Sequence, residues 1–512
     1  MEAHNLQNEF EGFVHLNESD NVVIVTDPRG LKAGETIRVG EHLVQATSDV
    51  PQGHKRASRG TRKGEAITKD RNRIAVATQA INPGEHTHVH NATMPVASQL
   101  KLARHSKGPM EGMRSHFLGY RRKSGEVGVR NFIVVAASVN CSATVVKAIC
   151  QHFRKDLSAY GIDGVIPVCN PAGCTQVEGG EYHQLLNRSI AGWVYHPNVV
   201  GAVVVGLGCE GTAHASIAKH KPLNADSISV SSFSIQKEGG TATSIRLGIA
   251  KVEELLSQLP KFSRERVSVS KLRLALNCGG SDAFSALTAN PALGIASDAI
   301  VQCGGTVALA EIPECHGAEE LLKSRAVSEK VEKELSRVFD WWDGYASKEK
   351  ISLNDNLAVG NKDGGITTLI EKSLGAVMKA GSTRLTEVLN YASRITKSGF
   401  TIMNTPGYDP VSVTGLVAGG CQLVAFTTGR GSVYGCAIAP TVKIATRTQL
   451  FEQMAGDMDV DAGTILTGET HESVGKRIFD ELLDVAEGKK TCSETLGLGW
   501  EEFLPWAQGE LL

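Results

Sequence analysis

Three histidines alternate with other residues in the segment 84–91. His86, His88 and His90 stand at positions i, i+2 and i+4. In an extended segment, residues with this spacing point to the same face. Three imidazoles on one face could form part of a divalent-metal site or a polar anchor for a carboxylate substrate. The spacing therefore predicts a polar site, and a solvated edge strand is the alternative without function.

A second group of polar and thiol residues directly follows predicted strands. In open α/β sheets, ligands bind beyond the carboxyl ends of the strands, so such residues predict one shared site. A single free cysteine more often packs as a small buried hydrophobe, and only the group as a whole favours function. The group comprises Asn140, Cys141, Asn170, Cys174, Cys209, Glu210, Cys278, Ser281, Asp282, Glu311 and Glu314.

A glycine-rich loop at 427–432 surrounds Arg430. A guanidinium in such a loop suits bidentate binding of a carboxylate, with the backbone N–H groups nearby, and a phosphate suits it equally well. A similar loop occupies 360–368. Neither loop matches the fingerprint of a phosphate-binding or dinucleotide-binding loop, so no nucleotide site is predicted. Tight turns without a ligand are the alternative for both.

Length and charge limit the classes of function. The 512 residues correspond to about three domains at roughly 150 residues each. The 53 basic and 55 acidic residues give a net charge of −2, which predicts no nucleic-acid partner. The longest apolar run, 199–207, is too short for a bilayer, so no membrane partner is expected. Eleven scattered cysteines and a polar N-terminus favour a reducing, cytoplasmic location.

The pattern of apolar residues and turns predicts a mixed α/β fold. Residues 1–95 show short strands between Gly/Pro turns and form a small β-rich domain, and 96–116 is a charged linker. Residues 117–260 and 261–512 then form two α/β units with mostly parallel sheets. The predicted strands are 22–25, 132–137, 164–169, 199–206, 228–233, 272–276, 306–310, 400–403, 423–427 and 442–445, and the predicted helices are 142–155, 243–259 and 290–303.

Several short motifs occur in a fixed order along nearly the whole chain. They include Gly119-Tyr120-Arg121-Arg122, Gly206-Leu207-Gly208-Cys209-Glu210, Cys278-Gly279-Gly280-Ser281-Asp282, Glu371-Lys372-Ser373-Leu374-Gly375 and the loop from Thr428 to Ser432. Together they resemble the altronate/galactarate dehydratase family of sugar-acid hydro-lyases. The resemblance implies that 1–95 is a SAF-like domain and that 117–260 and 261–512 are the second and C-terminal dehydratase domains.

The resemblance also implies a reaction and a cofactor. Family members remove water from an aldonate or aldarate, such as altronate or galactarate, and form a 2-keto-3-deoxy sugar acid. They depend on a divalent metal, so Fe(II) is expected here, with Mn(II) as the alternative. A proton α to a carboxylate is only weakly acidic, so the site must stabilise an enediolate and supply a general base and a general acid. The expected partner is the small-molecule substrate, and the sequence leaves open whether the chain forms a homo-oligomer.

Roles within this resemblance are assigned from residue type and motif position. The metal ligands are expected among His86, His88, Cys174, Cys209 and Glu210. Arg430 is expected to bind the substrate carboxylate. Gly431, Ser432 and Ser281 are expected to support substrate binding. The catalytic set comprises Glu311 and Asp282 as proton carriers, together with Asn170.

Three departures from the family pattern keep other functions open. Asn170 stands where many relatives have a histidine, the segment 69–73 replaces a glycine-rich turn, and 355–359 replaces a proline-rich lead. A sulfo-lyase acting on a sulfolactate-like acid and an inactive sugar-acid-binding homologue are therefore alternatives. An iron–sulfur cluster on Cys141, Cys174, Cys209 and Cys278 ranks below a mononuclear site, because these cysteines lack the tight spacing of ferredoxins.

Overall fold

The computed structural model describes residues 12–95, 112–210, 214–222 and 228–509. It contains a small strand-rich region followed by two α/β units with parallel sheets, which confirms the predicted fold class. The predicted linker at 96–116 lies outside the described residues except for 112–116. No helix within the described ranges is long and apolar enough to cross a membrane.

The N-terminal region is built only from short strands, because turn residues interrupt every apolar run. These strands are β1 (Phe13–Val14), β2 (Val22–Val25), β3 (Thr36–Val39), β4 (His42–Gln45), β5 (Lys55–Ala57), β6 (Ala66–Lys69), β7 (Asn72–Ala77), β8 (His86–Thr87) and β9 (Ala92–Thr93). They form a four-stranded sheet in the order β1-β2-β5-β8, a β3-β4 hairpin and a three-stranded sheet in the order β6-β7-β9.

The second region is an α/β unit. Its elements are β10 (His116–Arg121), β11 (Val127–Gly128), β12 (Phe132–Ala137), α1 (Ala143–His152), β13 (Gly164–Val168), α2 (Glu181–Val194), β14 (Val199–Gly206), α3 (His214–Ala218), β15 (Ser229–Ser234), α4 (Thr241–Gln258) and β16 (Glu265–Ser268). A parallel sheet has the order β13-β12-β14-β15, and β10 pairs with β11 and β16 in a separate antiparallel sheet.

The C-terminal region is built around seven parallel strands. Its elements are β17 (Arg273–Cys278), α5 (Ala289–Gln302), β18 (Thr306–Leu309), α6 (Glu319–Lys323), α7 (Glu329–Glu349), α8 (Val359–Asp363), α9 (Leu369–Met378), β19 (Leu385–Leu389), β20 (Gly399–Met403), α10 (Asp409–Ala418), β21 (Leu423–Thr428), β22 (Thr441–Ala445), α11 (Thr448–Gln453), β23 (Val460–Asp461), α12 (His471–Ala486) and α13 (Cys492–Leu496). The strand order is β19-β20-β18-β17-β21-β22-β23. The central strands are buried on both faces and are therefore almost continuously apolar.

Two interfaces join these regions. The second and C-terminal regions share one apolar core, in which α2 packs on α10 so closely that a Cβ at Gly192 would lie 2.5 Å from Ala418. The N-terminal region buries its own core, including Ile74, against Ile370 and Leu374 of α9. Helix α9 is therefore the part of the C-terminal region on which the core of the N-terminal region packs.

Candidate active site

Polar loops collect at one edge of the seven-stranded sheet. Strands β18, β17 and β21 are parallel neighbours, so the loops that follow them emerge on the same side. The backbone N–H of Cys278, at the end of β17, donates to Glu311 Oε2 after β18 at 3.1 Å. The backbone N–H of Arg430, after β21, donates to the Gly280 carbonyl at 2.8 Å. Fold topology thus brings three chemically active segments together.

Glu311 is held in an unusual conformation beside a buried cation. Its φ is +63°, a left-handed value that is uncommon for a residue other than glycine and that occurs preferentially at functional sites. Its side chain is buried, and Oε2 accepts from Lys379 Nζ at 2.8 Å. Oε1 is buried and has no hydrogen-bond partner among the described residues. Burial raises the pKa of Glu311 to about 7. The neighbouring Glu314 carboxylate adds to this rise, and the Lys379 ammonium opposes it.

A thiol and two further charges surround this carboxylate. Lys379 Nζ also lies 2.7 Å from Cys278 Sγ, which in turn lies 3.2 Å from Glu314 Oε2. Lys372 forms an ion pair with Glu314 at 2.9 Å. Burial alone would lower the pKa of Lys379, but Cys278 and Glu311 hold it above its usual range. Burial raises the pKa of Cys278 well above its ordinary value, and the Lys379 ammonium opposes this rise.

Helix α9 positions both lysines and receives the N-terminal region. The Thr368 side chain caps the helix by accepting from the Glu371 N–H, which fixes the first turn. Lys55 and Lys69, from the N-terminal region, reach the two oxygens of Glu371 at 2.8 and 2.5 Å. Burial would raise the pKa of Glu371, yet Lys55 and Lys69 lower it to about 2. This buried ion-pair triad links the N-terminal region to helix α9.

Three histidines of the N-terminal region meet at the same interface. Ring nitrogens of His54, His86 and His88 lie within 4.8 Å of one another, and His54 Nδ1 is 2.9 Å from His86 Nε2. His54 Nε2 lies 3.1 Å from the Asp363 carbonyl, and His88 Nδ1 lies 3.2 Å from Thr367 Oγ1. Burial, reinforced by neighbouring positive groups, lowers the pKa of His86 and His88 to about 3. The imidazoles are therefore neutral.

Of the two possible ligand groups within the described ranges, the histidines fit a divalent metal better. Neutral imidazole is the ligating form, and protein metal sites commonly orient it through the other ring nitrogen, as Asp363 orients His54. The atoms of Cys278, Glu311 and Glu314 also lie within 4.8 Å of one another. The Lys379 ammonium, however, already contacts Cys278 and Glu311, and its positive charge would repel a metal cation bound there. The histidine group is therefore the less obstructed of the two ligand sets.

A cavity lies between the N-terminal region and the sheet edge. Asp282 borders it, forms an ion pair with Arg447 at 3.3 Å and accepts from Thr446 Oγ1 at 3.2 Å. Burial raises the pKa of Asp282. A Cβ at Gly429 would lie 2.1 Å from the Asp282 carboxyl carbon, so only glycine permits this approach. The cavity is further lined by Lys69, Cys278, Ser281, Ser285, Glu371 and Lys372.

Comparison with known proteins assigns all three regions to one family. Residues 11–95 match the altronate/galactarate dehydratase SAF domain, 119–260 the second domain of D-galactarate dehydratase/altronate hydrolase, and 269–511 the C-terminal domain of D-galactarate/altronate dehydratase. The chain belongs to the altronate/galactarate dehydratase family. As a member, it is an enzyme of the hydro-lyase class.

Full-length relatives support this membership. Altronate dehydratase from Bacillus subtilis is 33% identical over 485 residues, which cover 94% of this chain and 96% of the relative. Galactarate dehydratase (L-threo-forming) from Escherichia coli is 36% identical over 509 residues, covering 95% of each. The (2R)-sulfolactate sulfo-lyase subunit beta from Chromohalobacter salexigens is 31% identical over 388 residues, covering 74% of this chain and 95% of the relative.

In this dehydratase family member, the residues predicted to form the site fall into two groups. Ser281 and Asp282 line the cavity, and Glu311 contacts Cys278, which also lines it. Arg430 is exposed on its loop, where the Gly431 N–H donates to Thr428 Oγ1 and the Ser432 hydroxyl accepts from Tyr434 N–H. The second group, on the four-stranded sheet of the second region, comprises Asn170, Cys174, Cys209 and Glu210.

The expected metal ligands also lie in different parts of the fold. Among the described residues, the ligand groups with atoms within 4.8 Å include neither Cys174, Cys209 nor Glu210. His86 and His88 instead have His54 as their third member. Asn170 is buried, and its amide donates to the Ala137 carbonyl and accepts from a backbone N–H two residues later. This geometry ties two strand ends together, and a catalytic role for Asn170 stays a prediction.

Sequence reasoning missed His54 and Lys379. His54 lies outside the alternating histidines, 32 positions before His86, and no spacing rule connects the two. Lys379 gives one local signal, since it directly follows a helix that is buried along almost its whole length. A charged residue at the end of such a helix predicts a buried partner, because an isolated buried charge is very costly.

The histidine group makes a direct prediction. We expect His88→Ala to weaken Fe(II) or Mn(II) binding at least about 10-fold, because even indirect disturbance of a metal ligand costs this much. Anaerobic metal titration followed by calorimetry measures the effect. His42→Ala is the matched control, since His42 is exposed on β4 of the same region. Unchanged affinity in His88→Ala would remove this residue from the metal site.

Proposed function

We propose that this chain dehydrates a sugar acid, an aldonate or aldarate of the altronate or galactarate type, to a 2-keto-3-deoxy sugar acid. One observation carries the proposal: a buried carboxylate, Glu311, has a raised pKa, an oxygen without a partner among the described residues and a charged lysine beside it, and it contacts Cys278, which lines the cavity. Such a carboxylate suits abstraction of a weakly acidic proton. The dehydratases named among its relatives support the same reaction class.

Substrate binding uses the exposed glycine-rich loop. The Arg430 guanidinium has no partner in the parts of the chain that the structure describes, although its backbone is fixed to Gly280. It is therefore free to pair with the substrate carboxylate through two parallel hydrogen bonds. Gly431 and Ser432 hold the loop, and Ser281 offers a hydroxyl at the cavity wall.

Dehydration then proceeds by two proton transfers. Glu311 Oε1 removes the proton α to the carboxylate, and the electron pair of that C–H bond forms the enediolate. The neighbouring C–O bond breaks, and the β-hydroxyl takes a proton from Asp282 and leaves as water; for this role Asp282 must first be protonated and released from its ion pair with Arg447. The resulting enol tautomerises to the 2-keto acid. Lys379 stays charged and stabilises the Glu311 carboxylate before the transfer.

The histidine group is the proposed binding site for a metal cofactor. His54, His86 and His88 would hold a divalent metal, and we propose Fe(II), with Mn(II) as the alternative. When bound, the metal would polarise substrate oxygens and stabilise negative charge. The Asp363 carbonyl and the Thr367 hydroxyl also fix the ring orientations of His54 and His88 through hydrogen bonds that do not depend on the metal.

A substrate panel tests the proposal. The protein is purified anaerobically, loaded with Fe(II), and incubated with aldonates, aldarates and sulfolactate, and 2-keto acid and sulfite are measured separately. We expect 2-keto acid from at least one C6 sugar acid. Sulfite released only from sulfolactate would establish the sulfo-lyase alternative instead. Thermal stabilisation by a sugar acid without any product would establish the inactive binding protein.

Removal of the Arg430 guanidinium separates binding from chemistry. We expect Arg430→Ala to raise KM about 10- to 100-fold, the loss expected for charge-assisted hydrogen bonds, with a smaller change in kcat. Steady-state kinetics on the substrate found in the panel measures both parameters. Arg337→Ala, at an exposed position on α7, is the control. An unchanged KM would exclude Arg430 as the carboxylate-binding residue.

A further inference from the structure

The eleven cysteines separate sharply by exposure. All of them lie in described parts of the chain, and eight are buried or half-buried. Only Cys141, Cys174 and Cys209 are exposed. Free cysteine is among the most buried residue types, so exposed thiols that also lie together require a specific explanation.

The three exposed cysteines occupy one edge of one sheet. Cys141 follows β12, Cys174 follows β13 and Cys209 follows β14. These strands are parallel and adjacent, in the order β13-β12-β14, so their carboxyl ends lie side by side. The fold therefore brings together three thiols that stand 33 and 35 positions apart in the sequence.

Hydrogen bonds fix the loops that carry these thiols. The Asn140 backbone N–H donates to the Ala172 carbonyl at 2.9 Å, and its side chain donates to the Asn170 carbonyl at 3.0 Å. On the other side, the Ser138 hydroxyl donates to Glu210 Oε1 at 2.9 Å. The loops after β13 and β14 are thus both tied to the loop after β12, and the site is preorganised.

The three thiols also interact electrostatically. Desolvation, the Cys174 thiol, the Glu210 carboxylate and the Cys141 thiol together raise the pKa of Cys209. Helix α1 begins two residues after Cys141, and its N-terminus has no acidic residue in the first turn and no side-chain cap. The positive end of this helix favours a negatively charged ligand beside Cys141.

The three thiols do not form a ready-made site for a single tetrahedral ion. Zinc binds sulfur at about 2.3 Å, so two sulfurs on one zinc ion are at most about 4.6 Å apart. Within the described ranges, the groups of three or more ligand atoms that lie within 4.8 Å of one another do not include these cysteines. In this arrangement the three sulfurs are therefore spread too widely for one ion, whereas a cluster of several irons accepts more widely spaced thiolates.

We propose that Cys141, Cys174 and Cys209 bind an iron–sulfur cluster at the carboxyl edge of the second sheet. Soft thiolates are the usual ligands of such clusters, commonly four of them, and with three cysteines a four-iron cluster keeps one iron for a ligand other than cysteine. Cys278, the fourth thiol considered from sequence, is not part of this site, because it is buried against Lys379 on the other sheet.

Reconstitution with iron and sulfide tests the proposal. The full-length protein is purified anaerobically, incubated with Fe(II) and inorganic sulfide, and desalted. Iron and acid-labile sulfide per chain, visible absorption and the electron paramagnetic resonance spectrum after reduction are then measured. We expect about four irons and four sulfides at this site for a four-iron cluster. Cys141→Ser, Cys174→Ser and Cys209→Ser should each lose most of the labile sulfide.

Cys169→Ser is the matched control. Cys169 is half-buried directly after β13, where its thiol lies 3.8 Å from the Ala143 carbonyl, and it should retain the cluster. Wild-type protein without labile sulfide, or the three variants with wild-type sulfide content, would overturn the proposal. Labile sulfide is independent of sugar-acid turnover, and His88→Ala should retain it, so failure of the proposed dehydration is distinguishable from failure of this site.

Discussion

We expect Glu311→Gln to lower kcat by about 10²- to 10⁴-fold, the usual contribution of a positioned general base. The amide preserves the shape of the side chain but cannot accept the substrate proton. KM should change little, because the proposed carboxylate contact is made by Arg430. Steady-state kinetics on the substrate from the panel gives both values. Glu320→Gln, whose side chain is 86% exposed on α6, is the matched control.

The pH profile tests the same role independently. Glu311 acts as a base only when ionised, and its pKa is raised to about 7. For the wild type, the base-dependent rise of kcat/KM with pH should therefore pass through about 7, and loss of the proton from Asp282 should end this rise. The residual activity of Glu311→Gln should lack this rise. A variant that keeps both wild-type kcat and the pH dependence would contradict the assignment of Glu311 as the base.

The second large effect concerns stability. We expect Glu371→Gln to destabilise the contact between the N-terminal region and α9 by about 3–5 kcal/mol, the cost of removing one partner from a buried ion pair. Lys55 and Lys69 would then share a buried space without a countercharge. Denaturant midpoints and thermal unfolding measure the change. Glu329→Gln breaks an exposed pair with Lys333 and should cost less than about 1 kcal/mol.

Acidification should reduce the effect of Glu371→Gln. The folded protein lowers the pKa of Glu371 from 4.5 to about 2, so the unfolded chain binds this proton first as the pH falls. The stabilisation is complete above about pH 4.5 and disappears as the pH falls through about 2. The difference between wild type and variant should therefore shrink across this interval. A difference that stays constant down to pH 2 would exclude the carboxylate charge as its cause.

The sequence by itself determined the fold class and most of the central strands. Strands such as Phe132–Ala137 and Val199–Gly206 were predicted with their observed bounds, because parallel strands buried on both faces are continuous apolar runs. The ordered motifs also identified the family, which the matches over all three regions confirm. The amphipathic helix Glu329–Glu349 was not predicted, although its apolar residues recur with helical spacing.

Only the tertiary structure decided which polar residues belong together. Residues that follow strands look alike in sequence. Only the sheet topology places Glu311 at the edge of the seven-stranded sheet and Cys209 at the edge of the four-stranded one. His54 joins His86 because two strands pair, and Lys69 reaches Glu371 because the N-terminal region packs on α9. Local patterns report burial and periodicity, which neighbouring residues share. A site assembled across hundreds of residues depends on long-range packing, which no local pattern contains.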